Sequence, residues 1–137
     1  MTVDEAQDRI IEEMERLEGR MEKYEYLVDL AGELEPLAEE SRTEDNLVGG
    51  CQSSVWLDAR LEDGVMRIEA WSDAKIVGGI IALILRVLDG RTPGEIASTD
   101  LYFLDRTGLS SSLSPARAGG MKAIVERIRS LAENPRR

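Results

Sequence analysis

Apolar positions along the chain recur with two different periods, and the change of period divides it into elements. Ile10, Met14 and Leu17 fall at helical spacing behind Thr2 and Glu5, which read as a capping box, so a first helix is predicted to run to about Gly19. A second follows at once, with Tyr24, Leu27, Val28 and Ala31 on one face and Gly32 as its C-terminal stop. Between Gly32 and Gly50 the pattern weakens around Pro36 and the acids Glu39, Glu40, Glu44 and Asp45, a connector that leads into a loop. The period then falls to two. Val55, Leu57, Ala59 and Leu61 alternate with Trp56, Asp58 and Arg60, and Met66, Ile68 and Ala70 alternate with Arg67, Glu69 and Trp71. Asp63-Gly64 between the two runs predicts an antiparallel hairpin, with Trp56 opposite Trp71 on one face.

Residues 75–89 are apolar almost all round, which at this length predicts a buried helix against which the sheet packs. Thr92-Pro93 with Glu95 opens a short helix, Asp100 to Thr107 forms another closed by Gly108, and Ser114-Pro115 caps a last one carrying Met121, Ile124, Ile128 and Leu131 on its apolar face. Helices, a small antiparallel sheet and helices again, without the alternation that a parallel sheet demands, predict an α+β fold. At 137 residues the chain has the length of a single domain, 1–137.

Composition narrows the function. Apolar residues make up 42% and charged residues 32%, a globular balance. The net charge of −10 repels a phosphate backbone, so nucleic acid is not an expected partner. No run approaches the roughly 20 apolar residues that span a bilayer, and the first residues carry acids, so a soluble, cytoplasmic protein without membrane contact is expected. With one cysteine and no histidine, an internal disulfide is excluded and the commonest acid–base group and metal ligand is missing.

The carriers of chemistry are therefore few. Cys51 follows Gly49-Gly50 and precedes Gln52 and Ser53, between the acidic connector and the first strand. Free cysteine is among the most buried residue types, and composition alone favours a packing role. A loop setting after paired glycines argues for a reactive thiol instead, because such thiols tend to lie on loops held by rigid elements. Arg117 places a cation in the first turn of the last helix, where the dipole is already positive, a placement that a local anion would relieve and that otherwise reads as a solvated surface charge. Ser72 and Asp73 read as ordinary N-caps of the buried helix. No glycine-rich phosphate loop, nucleophile elbow or paired-carboxylate pattern stands out.

From Tyr24 to Ile128 the chain resembles the SufE family of sulfur acceptor proteins. The match is carried by Asn46-Leu47-Val48-Gly49-Gly50-Cys51-Gln52-Ser53-Ser54-Val55-Trp56, by Ser72-Asp73-Ala74-Lys75-Ile76-Val77-Gly78-Gly79, and by Gly108-Leu109 with Leu113-Ser114-Pro115-Ala116-Arg117. The resemblance implies a fold like that of iron–sulfur cluster scaffold proteins. It also implies that Cys51 accepts sulfane sulfur from a cysteine desulfurase of SufS type, which would hold pyridoxal phosphate, and passes it to a scaffold complex of SufBCD type. The chain would then be an activator and cosubstrate rather than an independent enzyme, carrying a transient persulfide and no cofactor or metal of its own. A partly sheltered thiol on a mobile loop is implied too, with Gly49 and Gly50 suited to a hinge and Gln52, Asp73 and Arg117 contributing to the site or its interface. Two other readings compete with it. A cluster scaffold would need more thiolates than one cysteine supplies, and an interaction domain would leave Cys51 structural.

Overall fold

The first helix, α1 (Val3–Glu15), opens on the expected capping box. The Glu5 amide donates to Thr2 Oγ1 at 3.0 Å and the Thr2 amide to Glu5 Oε1 at 3.2 Å in the computed structural model, which describes residues 1–50 and 53–135. α1 ends at Glu15, short of Gly19, which at φ 79° turns the chain into α2 (Gly19–Ala31). α2 buries Leu27 and Leu30, while Val28 and Ala31 are half-buried and Tyr24 is exposed, so the predicted face holds at Leu27 and Ala31, which meet α3, but Leu30 takes the buried place expected of Tyr24. Gly32 does end α2, but at φ −67°, without the left-handed turn for which glycine is usually selected.

The connector contains two short 3₁₀ turns, Glu39–Ser41 and Glu44–Asn46. The hairpin follows as β1 (Val55–Glu62) and β2 (Val65–Ser72), paired antiparallel from Val55 with Ser72 to Glu62 with Val65. Asp63 and Gly64 take φ of 51° and 83°, the double positive φ of a turn whose twist matches the strands. Val55, Leu57, Ala59, Met66, Ile68 and Ala70 point into the core. Trp56 faces Trp71 on the other side with ring centroids 6.0 Å apart, the pairing expected from the turn.

Beneath the sheet runs α3 (Lys75–Leu88), with Ile80, Ile81, Leu83, Ile84, Val87 and Leu88 nearly inaccessible. Gly79 explains how closely α2 and α3 approach: a Cβ there would collide with the backbone of Leu27. α4 (Pro93–Ser98) has its own capping box from Thr92 and Glu95; α5 (Phe103–Arg106) occupies part of the span predicted from Asp100. Gly108, at φ 79°, opens α6 (Leu109–Ser112), one turn with no counterpart in the sequence reading, and α7 (Pro115–Glu133) completes the order. The fold is α+β: among the described residues, seven α-helices and one two-stranded sheet surround a common hydrophobic core. No described helix is long and apolar enough to cross a membrane.

Candidate functional site

Cys51 and Gln52 lie outside the described residues; the chain on either side of them is described up to Gly50 and from Ser53 onward. Both roots of this segment are pinned. Val48 donates its amide to the Val55 carbonyl at 2.8 Å, closing the segment at the edge of β1. Gly50 lies against α7, where a Cβ on it would stand 3.5 Å from that of Ala123, and its φ of 86° requires glycine; Gly49 has open space around it.

Ser54 is held from the opposite side. Its amide donates to Asp73 Oδ1 at 3.1 Å, and its carbonyl accepts from Ser72 Oγ at 3.0 Å and from the Asp73 amide at 3.3 Å. The expected helix-capping roles of Ser72 and Asp73 are therefore wrong. The N-cap of α3 is Ala74, without a side-chain cap, because both side chains are engaged before the helix begins: Ser72 Oγ accepts from the Ala74 amide at 3.1 Å, and Asp73 turns back to the loop root. The pairing continues the hairpin register by one position beyond Val55 and Ser72, so the turn that sets Trp56 opposite Trp71 also sets Ser54 opposite Asp73.

Arg117 stands in the first turn of α7, where its amide donates to the N-cap Ser114 Oγ at 3.3 Å. The ion pairs among the described residues join Arg67 with Glu62 and Arg86 with Glu13 and Glu33, so Arg117, an exposed cation at the positive end of a helix, is not one of their members. It borders a recess of about 80 Å³ together with Ser53, Val77, Ile80, Gly120 and Met121. Ser53 comes from the Cys51 segment, Val77 and Ile80 from α3, and the rest from α7. The structure thus brings Arg117 beside the exit of that segment and Asp73 beneath the same exit, while Val77, Ile80 and Ala123 are site neighbours that sequence reasoning did not name. Helical periodicity assigned Val77 and Ile80 only to the core.

On the outer face of the hairpin the Trp56 and Trp71 rings stack at an interplanar angle of 25°, and the Arg42 guanidinium lies 4.7 Å from the Trp71 centroid while its Nε donates to the Leu37 carbonyl. Leu47, just before the Cys51 segment, forms a bridge with Trp56. The stack therefore ties the acidic connector to the sheet. No group of three or more His, Cys, Asp or Glu side chains able to hold a metal occurs among the described residues.

A two-layer α+β domain with a glycine-flanked cysteine segment, rooted on its hairpin and its last helix, falls in a class tied to iron–sulfur metabolism: the model of the Fe-S metabolism associated domain matches residues 8–132. The chain belongs to the SufE family. It is 38% identical over 124 residues to an uncharacterized SufE-like protein of Synechocystis sp., covering 90% of this chain and 78% of that one. It is 37% identical over 131 residues to an uncharacterized SufE-like protein of Rhizobium etli, covering 92% and 88%. The solution structure of a hypothetical protein from Thermus thermophilus superposes with a TM-score of 0.77 over 94% of each chain at 21% identity, a likeness of fold.

Proposed function

We propose that this protein accepts sulfane sulfur on Cys51 from the persulfide of a cysteine desulfurase and hands it on for iron–sulfur cluster assembly. The observation that carries the reading is the anchoring of the Cys51 segment on α7. Gly50 rests against Ala123, and Ser53 shares a recess with Arg117, a cation paired with none of the described carboxylates. Such a cation favours the thiolate over the thiol and attracts an incoming anionic persulfide. Family membership supplies the metabolic setting.

The transfer is a thiol exchange. The Cys51 thiolate, having released its proton to solvent, attacks the outer sulfur of the donor persulfide; a bond forms between Cys51 Sγ and that sulfur as the donor's S–S bond breaks, and the electron pair leaves on the donor thiolate. No external oxidant is needed, because the donor is reduced from persulfide to thiolate as Cys51 is oxidised from thiolate to persulfide. Asp73 and Ser72 fix the root of the segment at Ser54, and the recess beside Arg117 offers partial shelter to a group that reductants and oxidants would otherwise reach.

Mass spectrometry after incubation with a cysteine desulfurase, pyridoxal phosphate and cysteine tests the reading. Native protein gains the mass of one sulfur atom, a reducing thiol reverses the gain, and Cys51→Ser gains none. Sulfur gained by the serine variant would overturn the proposal.

A further inference from the structure

A second recess opens on the other side of the first turn of α3. It measures about 200 Å³ and has an apolar floor of Leu27 and Leu109, with Ile76 and Leu113 as further apolar lining. Arg20 and Lys23, one turn apart on α2, complete that lining; no carboxylate contributes to it, and neither base belongs to the ion pairs among the described residues. In a chain of net charge −10 this is a local reversal of sign, set directly over uncovered apolar surface. Tyr24, 39% exposed, extends the apolar surface toward solvent. The volume lies below the roughly 300 Å³ at which small-molecule sites begin, and is closer to the size of one large side chain.

We propose that this recess docks an acidic segment of a partner protein, which seats one large apolar side chain among Leu27, Ile76, Leu109 and Leu113 and sets its carboxylates against Arg20 and Lys23. Charge decides between occupants. A neutral apolar segment would leave both cations at the rim unmatched, a basic one would be repelled by them, and an acidic one is steered toward this basic, apolar opening. Position gives the docking a consequence. Ile76 lines this recess and its neighbour Val77 the one beside Arg117; Leu113 lines this one and Ala116 the other, so a partner anchored here is seated next to the recess beside Arg117. The inference rests on these side chains and stands whether or not Cys51 accepts sulfur.

The experiment titrates the full chain with a fluorescent dodecapeptide of Asp, Glu and Ser around a central Leu-Phe pair, and maps binding by amide NMR. Saturable binding is expected, with shifts concentrated at Lys23, Ile76, Leu109 and Leu113. The double variant Arg20→Glu, Lys23→Glu should weaken it roughly tenfold or more with unfolding temperature unchanged, since both side chains lie outside the core. A peptide with Ser-Ser in place of Leu-Phe, or with Lys in place of its acids, should not bind. Absence of saturable binding, equal affinity for the double variant, or shifts gathered elsewhere would overturn the proposal. So would perturbation of the same amides by concentration-dependent self-association or by vesicles of anionic lipid, in place of the peptide.

Discussion

Asp73 and Ser54 hold each other twice across the open end of the hairpin, the Ser54 amide donating to the Asp73 carboxylate at 3.1 Å and the Asp73 amide to the Ser54 carbonyl at 3.3 Å. Removing the carboxylate leaves one amide to solvent and frees one root of the Cys51 segment. Asp73→Ala should cost about 0.5–1.5 kcal/mol in denaturant unfolding, whereas Asp73→Asn, which keeps an acceptor oxygen, should cost less. Sulfur acceptance should fall in the same order. Equal rates for the two variants would detach this contact from function.

Two glycines test what the Gly-Gly pairs contribute. Gly79→Ala drives a methyl into the Leu27 backbone where α2 crosses α3, and the helices must separate; a loss of about 1–3 kcal/mol or more is expected. Gly119, in the exposed part of α7, has nothing within reach of an added Cβ, so Gly119→Ala should raise stability by about 0.4–1 kcal/mol. Thermal unfolding of both variants checks the opposite signs.

These glycines also show where sequence patterning stops. Alternation and Asp63-Gly64 were enough to place Trp56 opposite Trp71, because strand register follows from a local turn. Thr2 with Glu5 and Thr92 with Glu95 announced two helix starts for the same reason: each capping box closes within four residues. On α2 the spacing named Leu27 and Ala31, which meet Gly79 and Gly78 of α3, but it missed the buried Leu30, because contacts between residues far apart in the chain decide the face. Asp73 was taken for a cap although the Asp63-Gly64 turn sets it opposite Ser54, one position beyond the last paired residues of the strands. Of the site, the cation at the start of α7 was legible, since helix polarity is a local property; its company with Ser53, Val77 and Ile80 was not.

Tyr26 predicts an alkaline limit to stability. Half-buried, it donates to Glu13 Oε2 at 2.8 Å, and burial first, then the bond to that carboxylate, push its phenol well above the usual value. The folded state therefore keeps this proton when the unfolded chain has lost it. The contribution is complete below about pH 10 and is lost as pH rises from there toward the folded-state pKa. Tyr26→Phe should flatten this part of the stability profile in denaturant titrations at successive pH values. An unchanged alkaline slope would assign the loss to other groups.

Arg117 gives the prediction that most directly joins the fold to the proposed chemistry. A guanidinium in the first turn of α7 works against the helix dipole, so Arg117→Ala should leave unfolding unchanged or raise stability by a few tenths of a kcal/mol. A side chain kept for packing or pairing would behave otherwise, but this one is exposed and outside the ion pairs of the described residues. Its proposed work is to favour anionic sulfur beside Ser53, on the lip of the recess. Loss of the cation should slow persulfide acceptance about tenfold, equivalent to about 1.4 kcal/mol, and move the pH dependence of acceptance upward as the thiolate becomes harder to form. Arg117→Lys, which keeps the charge and loses the planar fork, should recover part of the rate. Stopped-time mass spectrometry across a pH series measures both effects. Equal rates and an unmoved pH profile in the alanine variant would return Arg117 to the solvated surface.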